Sequence, residues 1–252
     1  MKVAVLQTDI MWGRVDDNIS AVERLMSVAG AAELYVLPEM WATGFAATSP
    51  DEACSDVPLD WMIRTARERF CAVCGSVAVR DDGGIFRNRH YFVMPDGSYH
   101  YYDKRHLFTY GGEDRHYARG EDRVVVEYKN VRFLLQTCYD LRFPVWSRNT
   151  GDYDAIIYVA NWPESRQNVW QILLRARAME NQCYVIGANR VGRDALCLYK
   201  GGSAVIDAKG YAVAGAVGSD EQVVTADISL DDLCTFRKKF PVLNDRDAFE
   251  VK

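Results

Sequence analysis

Three residues with complementary chemistry stand at the ends of apolar runs in this chain. Glu39 closes LYVLPE, Lys104 closes SYHYYDK, and Cys138 closes RFLLQTC. A carboxylate, an ammonium and a thiol that meet can divide the work of acyl transfer. The carboxylate takes the thiol proton, the sulfur attacks an acyl carbon, and the ammonium holds the developing oxyanion. A helix starting after Cys138 would add backbone N–H groups to that site and lower the thiol pKa. Each residue alone has an ordinary explanation. A cysteine after an apolar strand is most often a small buried hydrophobe, a Pro-Glu pair a turn, and the lysine of DKRH a solvated charge.

The three meet only if the strands that carry them end on one side of a sheet, since ligand sites in open α/β sheets gather outside the carboxyl ends of strands. Strand-length apolar runs recur along the chain, among them VAVLQ (3–7), LYVLP (34–38), CAVCGSVAV (71–79), RHYFVM (89–94), AIIYVA (155–160) and CYVIGAN (183–189). Several are apolar on both faces, the pattern of strands covered on each side. Between them lie the helical patterns NISAVERLMSVAG, PLDWMIRTARERF and SRQNVWQILLRARAMENQ. In the last, Val169, Leu173, Ala176 and Met179 form the apolar stripe and Ser165 the N-cap. Asp96-Gly97 and Lys129-Asn130 read as hairpin turns. SAVID, YAVAGAV and VVTADI read as a strand meander, followed by a short helix from about Leu230. Alternating strands and helices with added hairpins predict a layered α/β fold with a mixed sheet.

The chain has 252 residues, 49% of them hydrophobic, with no linker-like or repeated segment, and is read as one domain over 1–252. A formal net charge of −5 with scattered basic residues argues against a nucleic-acid or membrane surface. No apolar run approaches the ~20 residues of a membrane span, and the N-terminus lacks the pattern of a signal peptide. Seven irregularly spaced cysteines predict free thiols and a cytoplasmic location. The CAVC segment has redox and zinc-site spacing, but in a strand its two cysteines point to opposite faces. Glu113 and His116 form an E-x-x-H without the second copy that a di-iron bundle needs.

The words around the three residues are more specific than the residues. VLPEMWATGF, YDKRHLF and LLQTCYDLRFP resemble, in order and spacing, the catalytic segments of the nitrilase (carbon–nitrogen hydrolase) superfamily, and the likeness continues through YVANWPESR, RARAMENQCYVIGANRVG and YKGGSAVIDAKG. It covers residue 3 to about 230. The resemblance implies a four-layer α-β-β-α sandwich with mixed sheets and a triad of Glu39, Lys104 and Cys138, with Glu113 as the second glutamate that many members carry. Cys138 is then the nucleophile and Glu39 the general base, then acid. Lys104 and the backbone N–H of Tyr139 hold the oxyanion, and Glu113 positions substrate or Lys104. No metal or organic cofactor is needed. A homodimer is also implied, with a tail over about 236–252 crossing to the partner or packing on its own subunit.

CYDLRFPVWSRN resembles the amidase branch that includes the bacterial omega-amidases, which cleave the terminal amide of short dicarboxylate monoamides such as 2-oxoglutaramate or 2-oxosuccinamate. Val145 departs from the Glu that many relatives carry after the proline. A free substrate carboxylate asks for a cationic clamp. Arg142, Arg115 and His116 are the candidates, with Trp162 as a pocket wall; Arg142 serves equally well as a brace paired to a carboxylate. The alternatives are a nitrilase, an N-carbamoyl amide hydrolase, or a non-catalytic scaffold that binds protein.

Overall fold

The computed structural model describes residues 1–250. Its first half contains β1 (Lys2–Gln7), α1 (Val15–Ala29), β2 (Leu34–Val36), α2 (Pro50–Ala53), α3 (Val57–Arg69), β3 (Ala72–Arg80), β4 (Phe86–Val93) and β5 (Tyr99–Asp103). Then come β6 (Val125–Tyr128), β7 (Val131–Thr137), β8 (Ala155–Ala160), α4 (Gln167–Asn181), β9 (Tyr184–Asn189), β10 (Val191–Arg193) and β11 (Leu198–Lys200). The chain closes with β12 (Ala204–Ile206), β13 (Ala212–Gly215), β14 (Gln222–Asp227) and α5 (Leu230–Lys239).

Two six-stranded sheets form, ordered β14-β1-β2-β3-β4-β5 and β13-β12-β9-β8-β7-β6, and β10-β11 is a separate hairpin. Each large sheet has three parallel strands at its centre and antiparallel strands at its flanks. One apolar cluster, including Val5, Val36, Phe92, Phe133, Ile157 and Ile186, fills the space between the sheets. A second packs α1 and α3 on the outer face of the first sheet, and a third packs α4 on the outer face of the second. The layers therefore run helix, sheet, sheet, helix. This is why β8, AIIYVA, is buried along its whole length: both its faces are covered. Cys71 and Cys74 fall into different clusters, on opposite faces of the first sheet.

Both hairpin turns form where expected. Lys129 (φ 50°) and Asn130 (φ 65°) join β6 to β7 with two left-handed residues, which suits the twist of the flanking strands. At the β4–β5 turn Gly97 has φ 84°, and the Asp96 carboxylate accepts the Ser98 N–H at 2.8 Å.

Four expectations are corrected. The meander is split: β12 and β13 pair in the second sheet, but β14 crosses to the first and pairs with β1, whose edge would otherwise carry unpaired backbone groups. Ser165 caps nothing; it lies exposed in a 3₁₀ turn over Glu164–Arg166, and α4 begins after it. The buried face of α4 is rotated from the apolar stripe, with Trp170, Leu174, Arg177, Ala178 and Asn181 inward and Met179 half exposed. Residues 236–239 belong to the helix α5 and not to an extended tail; beyond it Leu243 is largely buried and Arg246 Nη2 donates to Thr150 O at 3.0 Å. The last two residues of the expected tail lie outside the described region.

Candidate active site

Cys138 follows β7 directly and opens a 3₁₀ turn over Cys138–Arg142, not an α-helix. Pro144 disfavours helical geometry at Phe143, which has φ −115° and ψ 88°, so the turn cannot extend. Cys138 itself has φ 45°, a left-handed conformation that costs a non-glycine residue free energy unless its surroundings hold it. Asp140 does the holding. Its buried carboxylate accepts from Thr137 N (2.9 Å), Tyr102 Oη (2.8 Å), His106 N (3.0 Å) and His106 Nδ1 (2.8 Å). The Cys138 turn is thereby tied to the segment that carries Lys104.

Strand direction brings the other groups to the same place. β1, β2 and β3 are parallel and β5, two antiparallel steps from β3, points the same way, so Glu39 and Lys104 leave the same end of the first sheet. The carboxyl ends of the second sheet's parallel strands face them. Asn161, just past β8, donates its N–H to Glu39 Oε2 at 2.9 Å and its side-chain amide to Glu39 O at 2.6 Å. Lys104 Nζ lies 2.9 Å from Glu39 Oε1, and 2.8 and 3.1 Å from the two Glu113 oxygens. Asn88 Nδ2 bridges the two carboxylates at 2.8 and 3.0 Å, and Ser76 Oγ in turn donates to Asn88 Oδ1. Phe108 N completes the set on Glu113 Oε2 at 2.6 Å. All three charged side chains are cut off from solvent.

Burial alone would strip the Lys104 proton, but the Glu113 and Glu39 carboxylates outweigh it and hold the ammonium pKa above its usual value. Burial also pushes Glu113 up, as does the Glu39 charge, with Lys104 pulling it back. Burial and the Glu39 carboxylate lift the Cys138 thiol well above its ordinary range, with Lys104 opposing. This environment favours the neutral form of the Cys138 thiol.

Cys138 opens on a cavity of about 570 Å³ whose lining includes Phe45, Phe108, Tyr139, Arg142, Trp162 and Arg166. Tyr139 is the second residue of the 3₁₀ turn, and first-turn amides have no partner within their own helix. Of the clamp candidates, Arg142 lines the cavity with its guanidinium 5.1 Å from the Trp162 ring centre, and no carboxylate pairs with it among the described residues. That removes the brace reading. Arg115 and His116 do not line the cavity; both are exposed on the segment after Glu113. The 3₁₀ turn at Glu113–Arg115 points Glu113 inward and leaves its neighbours outside. Val145 is exposed and also outside the lining.

The model of the carbon-nitrogen hydrolase family matches residues 2–238. The chain belongs to the carbon–nitrogen hydrolases. Among its relatives, the omega-amidase YafV of Escherichia coli strain K12 is 42% identical over 254 residues, covering 100% of this chain and 98% of that protein. The 2-oxoglutaramate amidase of Bacillus subtilis strain 168 is 33% identical, with 96% of each chain covered. Among solved structures, XC1258 of Xanthomonas campestris, a CN-hydrolase superfamily protein with an arsenic adduct in its active site, superposes with a TM-score of 0.95 at 38% identity, covering 100% of this chain and 99% of that one.

Three cavity and cluster residues of this hydrolase escaped sequence reasoning. Asn88 sits inside β4 between Arg87 and Arg89, where the sequence offers no apolar pattern to mark it as buried, yet its amide is fully buried and its donors are needed there. Asn161 and Arg166 lie in YVANWPESR, a segment marked by resemblance but with no role attached to either residue. Arg166 reads locally as a solvated charge before a helix; only the fold turns it toward Cys138's cavity.

Proposed function

We propose that this hydrolase is an omega-amidase that cleaves the terminal amide of short dicarboxylate monoamides, such as 2-oxoglutaramate or 2-oxosuccinamate, to the acid and ammonia. The observation that carries the reading is the sealed Glu39–Lys104–Glu113 cluster beside Cys138 at a cavity that also holds unpaired guanidinium. The relatives named as omega-amidase and 2-oxoglutaramate amidase support the substrate class.

The reaction runs as follows. Glu39 accepts the Cys138 proton as the sulfur attacks the amide carbon. The carbonyl oxygen becomes an oxyanion that Lys104 and the Tyr139 N–H stabilise. An ammonium carries three donors; with one on Glu39 and one shared between the Glu113 oxygens, the third serves the oxyanion. Protonated Glu39 then delivers its proton to the departing nitrogen, the C–N bond breaks, and ammonia leaves a thioester on Cys138. Water enters, loses a proton to Glu39, and attacks the thioester. The acid is released as the thiol regains that proton. Glu113 keeps Lys104 charged and in place.

Homodimerisation through α4 is part of the proposal, supported by the half-exposed Ile172 and Met179 beside partly buried Val169 and Leu173. A cytoplasmic location is supported by seven free cysteines. Wild type and Cys138→Ala are to be assayed for ammonia release from 2-oxoglutaramate, succinamate, glutamine, an aliphatic nitrile and an N-carbamoyl amino acid. The expected result is turnover by wild type alone, led by the ω-monoamides. Leadership by the nitrile or carbamoyl compound overturns the substrate class. Full activity in Cys138→Ala overturns the nucleophile, and silence across a wider amide panel favours a non-catalytic scaffold.

A further inference from the structure

Two guanidiniums share the Cys138 cavity, and neither is used by the chemistry above. Arg142 comes from the nucleophile turn and lies against the Trp162 ring at 5.1 Å; Arg166 comes from the 3₁₀ turn before α4 and lies against the Phe108 ring at 5.3 Å. The two supports are joined. Trp162 Nε1 donates to Arg166 O at 2.8 Å, and Phe108 packs edge-on to Tyr139, three residues before Arg142. An arginine stacked by its face keeps its edge donors free for a planar anion.

The acids near them are already engaged. Asp194, which lines the cavity, accepts from Leu196 N, Cys197 N and Tyr199 Oη at 2.7–2.8 Å. Glu164 pairs with Lys200. Glu39 and Glu113 are held by Lys104. Among the described residues no carboxylate pairs with either Arg142 or Arg166, and in a lining that is otherwise largely aromatic and aliphatic these two guanidiniums stand against the single carboxylate of Asp194.

We propose that Arg142 and Arg166 together form the carboxylate subsite of this enzyme, with Arg166 as a specificity-determining residue. This deepens the omega-amidase reading and rests on it. The paired guanidiniums hold the substrate carboxylate away from the acidic Glu39–Glu113 pair, which leaves the far end of the molecule, the amide, to face Cys138. The enzyme thus reads a charge at one end of its substrate and cuts at the other.

The test compares succinamate with butyramide, its uncharged analogue of equal chain length, in wild type, Arg166→Met, Arg166→Lys and Arg142→Met. Arg166→Met is expected to lower kcat/KM for succinamate roughly 10- to 100-fold, the range for a charge-assisted hydrogen-bonded contact. The loss should fall mainly on KM and leave butyramide unchanged, with Arg166→Lys recovering part of it. An unchanged succinamate-to-butyramide ratio in Arg166→Met overturns the proposal, as does an equal loss on both, which would mark Arg166 as merely structural. Calorimetric binding of succinate to Cys138→Ala, with and without Arg166→Met, reads the subsite independently of turnover. If wild type hydrolyses no monoamide yet succinate binding still depends on Arg166, the amidase reading fails and the subsite stands. If monoamides turn over and succinate binding ignores Arg166, only the subsite fails.

Discussion

At the scale of residues, the site is an arrangement of one ammonium between two carboxylates. Glu113 takes four donor contacts, two from Lys104 and one each from Asn88 and Phe108. Glu113→Gln keeps the shape but puts an N–H₂ where an acceptor is required, and it removes one of the two charges that hold Lys104 protonated. The expected outcome is a fall in kcat of about 100-fold, in the range of a lost oxyanion-stabilising donor, with KM little changed. Steady-state ammonia release from succinamate checks it; an unaltered kcat would show that Glu113 does not position Lys104.

Among elements, the Cys138 turn and α4 show how local pattern and tertiary role diverge. The turn is short because Pro144 stops it, and its strain at Cys138 is held by contacts from outside: Asp140 to the β5 end, and Arg177 Nη2 of α4 to Leu141 O at 2.6 Å. α4 therefore buries an arginine and an asparagine, Asn181, to serve neighbouring backbone, and turns apolar Ile172 and Met179 outward, at 55% and 50% exposed. The homodimer proposed above would cover this apolar patch on the helix beside the Cys138 turn. Light scattering is expected to report a dimer for wild type and a monomer for Ile172→Glu combined with Met179→Glu. A dimer that survives both charges would move the interface elsewhere.

For the molecule as a whole, the two sheets are joined by more than apolar contact. His90 on β4 is fully buried, its Nδ1 lies 3.2 Å from Gln136 O on β7, and burial holds its pKa down to about 3. The folded protein therefore keeps His90 neutral while the unfolded chain takes up a proton below about pH 6.5. Because the unfolded state binds the extra proton, stability falls as pH drops from about 6.5 towards 3. Between pH 7.5 and 5.5 the loss from this group is about 1–1.5 kcal/mol. Urea denaturation at both pH values measures it, and in His90→Gln the difference should shrink by that amount. An equal pH dependence in both proteins would remove His90 as its source.

What the sequence determines by itself is whatever depends on local chemistry or on an extended motif. The hairpins at Asp96-Gly97 and Lys129-Asn130 follow from backbone preferences of adjacent residues, and the buried strands from runs apolar on both faces. Glu39, Lys104 and Cys138 stand out as polar residues closing apolar runs, but they and Glu113 are singled out as a set only by the surrounding words that resemble a family. What only the tertiary structure decides is which of these groups share a space. It separates Arg115 and His116 from the cavity and turns Arg166 in. It sets Asn88 and Asn161 on the carboxylates, rotates α4 to bury Arg177, and sends β14 to the other sheet. For Asn88, Asn161 and Arg177 the deciding contact is made with a segment distant along the chain: a buried polar group is placed by the partner it must satisfy, and no pattern among its sequence neighbours carries that partner's position.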